Sequence, residues 1–102
     1  MNRLIVIGGS KGIGNAIVKA LLLSYDEIIN ISRTAPETAD ARLKHFSCDI
    51  KVDELPDIDE ADGLVYCPGS INLKPINRLS LDDFRHDFDI NVIGAVLSLI
   101  HI

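Results

Sequence analysis

Residues 4–14 read Leu4-Ile5-Val6-Ile7-Gly8-Gly9-Ser10-Lys11-Gly12-Ile13-Gly14, and the fold follows from how this stretch changes character midway. Its first four residues are an unbroken apolar run, where a half-exposed strand would alternate. A strand that reads this way is buried on both faces, at the centre of a parallel sheet. Gly8, Gly9 and Ser10 then remove side-chain bulk, and Ile13, Ala16, Ile17, Ala20 and Leu21 recur at helical spacing. The chain therefore turns sharply from strand into helix through small residues. Such a turn brings bare backbone N–H groups and the positive end of a helix dipole to one place. The expectation is a pyrophosphate cradle at the carboxyl end of a central strand.

The glycines Gly8, Gly12 and Gly14 are spaced G-x-x-x-G-x-G. This differs from the G-x-G-x-x-G dinucleotide fingerprint and from a P-loop, which needs Gly-Lys-Ser/Thr. A tight strand-to-helix turn in any α/β protein also carries glycines, so the pattern gains weight from its place between a buried strand and a helix. Here the sequence resembles the short-chain dehydrogenases/reductases, whose motif reads T-G-x-x-x-G-x-G. Residues 8–14, GGSKGIG, match it, with Ile7 where a threonine is common. The resemblance implies an α/β, Rossmann-type doubly wound parallel sheet with strand order 3-2-1-4 in this part. Residues 1–102 then form the N-terminal part of a single NAD(P)-binding domain, with Gly8, Ser10, Lys11, Gly12, Ile13 and Gly14 along the cofactor.

Composition bounds the alternatives. With 102 residues and a formal net charge of −5, the chain is one domain at most. It lacks the clustered Lys and Arg that nucleic acids or anionic membranes reward. The apolar run after Met1 is too short for a signal peptide, and no stretch reaches the length of a membrane span, although residues 92–102 are apolar. A soluble cytoplasmic protein with neither nucleic acid nor membrane as partner is expected. Cys48 and Cys67 stand at no metal-ligand or C-x-x-C spacing, which reads as free, partly buried thiols. His45, His86 and His101 are not grouped for a metal, and none is expected.

In chain order, a first helix is expected from Gly12 to Leu23, with Asn15 and Lys19 on its wetter side and its leucines on the sheet. A second strand follows from Glu27 to Ile31, parallel to the first because a helix connects them. In dinucleotide folds an Asp or Glu about 20 residues past the glycines holds the ribose 2′-hydroxyl, and an Arg there suits a 2′-phosphate. This chain has Ser32, Arg33 and Thr34 and no acid. A guanidinium grips a phosphate through two charge-assisted hydrogen bonds, aided here by the Ser32 and Thr34 hydroxyls, so NADP is expected rather than NAD. By the resemblance, Lys11 approaches the same phosphate from the other side. The competing reading makes Lys11 and Arg33 ordinary solvated charges.

A third strand, Leu43 to Ser47, closes in Cys48, Asp49 and Ile50. By itself an Asp at a strand end is a turn former or helix cap; the resemblance assigns Asp49 to the adenine amino group, with Ile50 packing nearby. Residues 51–60, with Pro56 and many acids, read as an abbreviated crossover. Asp62 to Tyr66 form a fourth strand that ends in Cys67-Pro68-Gly69. The related motif is N-N-A-G, of which residues 66–69 keep only Gly69, where the ribose side of the cofactor would lie against backbone. Residues 70–79 read as an irregular connection. Ser80 caps a long helix with Asp82 and Asp83 in its first turn and Phe84, Phe88, Val92, Ala95, Val96 and Leu99 at helical spacing. Gly94 marks a close approach in that helix. An isolated Asn91 would be a polar residue satisfied by its neighbours. In its N-V-x-G setting it matches the helix asparagine that helps hold a water in the active-site proton relay.

The reaction implied is hydride transfer between NADP(H) and a small-molecule carbonyl or alcohol, using a serine and a Tyr-x-x-x-Lys pair. The tyrosines here are Tyr25 and Tyr66, and neither begins Tyr-x-x-x-Lys. The expectation is thus the cofactor half of an oxidoreductase, with a following half or a partner chain covering the fourth strand's open edge and the long helix, and with homo-oligomers formed through that helix. The alternative is a non-catalytic NADP-binding or regulatory module that dimerises through the open edge.

Overall fold

A computed structural model describes residues 2–50, 53–58, 60–69 and 74–101, with Ile100 and His101 described in their backbone alone. β1 (Arg3–Ile7) lies between β2 (Glu27–Ser32) and β4 (Gly63–Tyr66), and β3 (Leu43–Ser47) flanks β2. All pairings are parallel, giving the expected order β3-β2-β1-β4. The continuous apolar run explains why β1 is central: Leu4, Ile5, Val6 and Ile7 are at most 2% exposed. Alternate side chains enter opposite layers. Ile5 and Ile7 pack with Ile29, Ile31 and Cys48, while Leu4 and Val6 pack with Val18 and Ile28.

α1 (Gly12–Leu21) covers the second layer and stops two residues short of the expected end. Leu22 still packs on the sheet beside Leu21, but Leu23 is 84% exposed. Successive helical side chains point about 100° apart, so three consecutive leucines cannot share one face. β2 runs one residue further than expected, pairing Ser32 with Ser47. Asp62 precedes β4 instead of joining it. Its carboxylate accepts the Arg3 N–H at 2.7 Å, which closes the strand's start. Between β3 and β4 the described residues form no helix; Leu55, Ile58 and Ala61 pack directly on the first layer, the abbreviated crossover expected from Pro56.

The amino ends of the strands are closed by charge. Glu27, only 8% exposed, accepts from Arg3 Nε and from Lys44 Nζ, both at 2.7 Å. The Lys44 hydrogen bond first, and then Arg3, hold the Glu27 carboxyl below its ordinary range against the opposing effect of burial.

Within the stretch read as an irregular connection, Ile76–Arg78 form a 3₁₀ turn, and residues 70–73 lie outside the described residues. Ser80 then caps α2 (Leu81–Phe88) through a reciprocal box. Ser80 Oγ accepts the Asp83 N–H at 3.2 Å, and the Asp83 carboxylate accepts the Ser80 N–H at 3.0 Å. The expected single helix is divided. α2 passes through a π turn, Asp89–Ile93, into α3 (Gly94–His101), and the Gly94 N–H reaches back five residues to the Asp89 carbonyl. The turn widens where β4 meets the helix: the Tyr66 hydroxyl donates to the Ile90 carbonyl and fills the space that a Cβ on Gly94 would need. The far side of this helix stays bare, with Phe84 55%, Phe88 54%, Val96 48% and Leu99 65% exposed. No helix among the described residues is long and apolar enough to cross a membrane.

Candidate functional site

The turn after β1 is built by backbone. Gly8 and Gly12 have φ of +80° and +57°, the left-handed region where a side chain would be strained. The Gly8 N–H donates to the Ile31 carbonyl at 2.8 Å, which anchors the turn to β2. Gly14 lies beneath it, and any Cβ there would strike the Gly8 carbonyl oxygen. The missing side chain lets the start of α1 sit directly under the loop. Lys11, at the N-cap position, makes no side-chain cap, and the first turn of α1 holds no acid. Its N–H groups therefore keep their positive potential for an anion outside the helix.

Above this turn a cleft of about 510 Å³ opens at the carboxyl ends of the strands. Gly8, Ser10 and Lys11 line one side, Ser32, Arg33 and Thr34 the end of β2, Asp49 and Ile50 the end of β3, and Gly69 the end of β4. Residues from four separate places in the sequence thus line one cleft. Pro68, His86 and Ile90 also line it, with Ile7, Ile31 and Cys48 at the strand ends. Three expected cofactor residues stand apart from this lining: Gly12 and Ile13 are exposed at the start of α1, Ile13 by 77%, and Gly14 is buried under the turn. Asn91 sits at the rim, its Oδ1 3.5 Å from where a Cβ on Gly69 would stand. The π turn carries it, so the placement depends on Tyr66.

Among the described residues Lys11 and Arg33 enter no ion pair, which leaves two cations at the cleft beside the single carboxylate of Asp49. A second groove of about 510 Å³ lies between residues 53–57 and α3. Among the described residues Asp53, Glu54 and Asp57 line it and no basic residue does. The described carboxylates of this groove disfavour a phosphate, whereas Lys11 and Arg33 at the first cleft favour one.

The sequence reading missed Asn30. Fully buried at 0% exposure, its Oδ1 accepts the Gly9 N–H at 2.8 Å. Its Nδ2 reaches Ser32 Oγ at 2.9 Å and His45 Nδ1 at 3.0 Å. The signal was present in EIINIS, where a single amide interrupts an otherwise apolar strand interior; buried polar groups are there to be hydrogen-bonded. Ser32 is also more committed than its position suggested, since its hydroxyl donates to the Thr34 carbonyl at 2.7 Å.

The other reactive groups are structural. Cys48 and Cys67 are free, as expected. Burial pushes both thiols up, and Asp53 and Asp49 add to the effect at Cys48, so neither is primed as a nucleophile. Burial likewise raises the Tyr66 phenol, whose proton is held by Ile90. No group of three or more His, Cys, Asp or Glu among the described residues could hold a metal ion.

A comparison with protein-family models finds no match. Solved structures do match. A short chain dehydrogenase family protein from Francisella tularensis superposes with a TM-score of 0.84 at 24% identity, covering 99% of this chain and 45% of that one. A short chain dehydrogenase from Leptospira borgpetersenii with bound NAD+ gives 0.80 at 20% identity, covering 98% and 44%. Aldohexose dehydrogenase from Thermoplasma acidophilum gives 0.80 at 25% identity, covering 98% and 42%. The chain has the fold of an N-terminal fragment of the short-chain dehydrogenases and spans less than half the length of these three proteins.

Proposed function

We propose that this chain is the N-terminal, nucleotide-binding part of an oxidoreductase of the short-chain dehydrogenase/reductase type, acting in the cytoplasm on a small carbonyl or alcohol with NADP(H) as cofactor. One observation carries the reading: a glycine-rich turn at the positive end of α1 opens into the same cleft as Arg33, at a strand end without a carboxylate. Gly8 lets the turn pass close to the end of β4, since a Cβ there would stand 3.1 Å from the Pro68 ring.

In this reading the Gly8–Gly14 turn holds the diphosphate by main-chain N–H groups. Arg33 and Lys11 flank the 2′-phosphate, and Asp49 accepts from the adenine amino group beside Ile50. Gly69 leaves room for the ribose, and Asn91 steadies a water near the reacting end. The nicotinamide, when bound, supplies the hydride chemistry; the residues described here bind it and orient it. The nicotinamide assignment is supported by the NAD+ in the Leptospira protein. The preference for the 2′-phosphorylated form rests on Arg33 and Ser32-Arg33-Thr34 lacking an acid. The bare helix face at Phe84, Phe88, Val96 and Leu99 supports assembly into a homo-oligomer.

Fluorescence titration of the intact protein tests the reading. NADPH is expected to bind at least about tenfold more tightly than NADH, the ratio expected for one charge-assisted phosphate grip. Equal affinities would remove the NADP assignment, and binding of neither nucleotide would remove the function.

A further inference from the structure

We propose that Asn30 is a positioning residue that locks the glycine turn and the end of β2 into one unit, so that the diphosphate and the ribose 2′-substituent are recognised together. The inference rests on the nucleotide-binding function proposed above and goes beyond it, because Asn30 lies beneath the cleft and not among its lining residues.

The contacts form a closed circuit. Gly9 N–H donates to Asn30 Oδ1 at 2.8 Å, and Asn30 Nδ2 donates to Ser32 Oγ at 2.9 Å. Ser32 Oγ donates to the Thr34 carbonyl at 2.7 Å, and Thr34 Oγ1 meets Ser10 Oγ at 3.3 Å, one residue from Gly9. The second Nδ2 proton points to His45 Nδ1 at 3.0 Å, so that ring nitrogen accepts. A primary amide has two donors and a carbonyl oxygen, and each of these finds a partner here. With Oδ1 fixed on Gly9 N–H and Nδ2 on Ser32 and His45, the amide has one orientation.

Shape enforces the same arrangement. A Cβ on Gly9 would stand 2.6 Å from Asn30 Oδ1 and 2.9 Å from Val18. The second glycine of the doublet is thus required by the amide packed against it, not by the spacing of the motif glycines. Asn30 faces Val6 in the β1–β2 register, two positions before Gly8, so both halves of the circuit hang on the most buried part of the sheet. A rigid link between two subsites lets binding at one pre-order the other.

The test is titration of the intact protein with NADPH and with NADH, well below the onset of unfolding, together with the NMR shift of the Gly9 amide proton. Asn30→Leu is expected to weaken NADPH about thirtyfold and NADH about tenfold, with the Gly9 resonance moving upfield. Asn30→Asp keeps an oxygen for the Gly9 N–H and removes the Nδ2 donors to Ser32 and His45. Its expected effect is about fivefold on NADPH and within twofold on NADH, with no upfield move of the Gly9 resonance. A residue that served stability alone would lower the melting temperature and leave both affinities of the folded protein unchanged. Native binding with Asn30→Leu affinities within twofold of native would overturn this inference alone; absence of native binding would remove it together with the function it rests on. Should Asn30→Leu fail to fold, Asn30→Asp decides: an unchanged NADPH-to-NADH ratio overturns the proposal.

Discussion

The two ends of the sheet are built from the same four strands and solve opposite problems. At the amino ends, opposite charges meet within the chain: Arg3 and Glu27 are register partners, Lys44 joins them, and Asn2 N–H donates to Asp26 at 2.8 Å. At the carboxyl ends a helix terminus, Lys11 and Arg33 share one cleft with Asp49, its single carboxylate among the described residues. A chain with a net charge of −5 thus still brings two cations and a helix terminus to one cleft. Net charge argues about bulk partners such as nucleic acid; the placement of a few groups in a cleft decides what a small anion meets.

Three perturbations sharpen this contrast. The largest effect is expected from Gly14→Val, which drives a side chain into the Gly8 carbonyl. It should cost about 3 kcal/mol or more in denaturant unfolding and abolish nucleotide binding, because overpacking against backbone cannot relax locally. Retained binding would mean that the turn is not the diphosphate seat. Next, Arg33→Ala should weaken NADPH by about tenfold to a hundredfold while leaving NADH within threefold, the signature of a lost phosphate grip. Parallel losses for both nucleotides would show that Arg33 does not distinguish them.

The smallest effect belongs to the closed end. Glu27→Gln should lower stability by about 1 kcal/mol at neutral pH and leave nucleotide affinity unaltered, since Glu27 lies at the opposite end of β2 from Ser32. Because its carboxyl titrates lower in the folded chain than in the unfolded one, the unfolded state binds more protons across that interval. The Glu27 contribution is present above the ordinary carboxylate range and is lost as pH falls through the depressed folded value. The stability difference between native and Glu27→Gln should therefore shrink on acidification; a difference that grows would contradict the ion-pair assignment.

Much of the fold was legible because local signals agreed. The apolar run of Leu4–Ile7, the glycine turn, the β-branched Glu27–Ile31 segment and the Ser80 cap with Asp82 and Asp83 behind it each point to one conformation, and the strand order is the one the family resemblance implied. The errors fell where a neighbour distant in sequence intervenes. The helix after Ser80 looked uniform until Tyr66 reached the Ile90 carbonyl, whereas the exposure of Leu23 is local, the third of three successive leucines. For the site, Lys11, Arg33, Asp49 and Gly69 were named from the sequence and share one cleft, while Asn30 was passed over as part of a strand.

The sequence by itself determined the elements, their order and the chemical types at the cleft, because periodicity, turn residues and caps act over a few neighbouring positions. Tertiary structure alone decided that Gly9 must yield to an amide 21 residues away, that Ser32 is tied to Thr34, and that Asn91 rides on a widened turn beside Gly69. Those outcomes depend on sterics and hydrogen-bond partners that exist only once separate strands lie side by side.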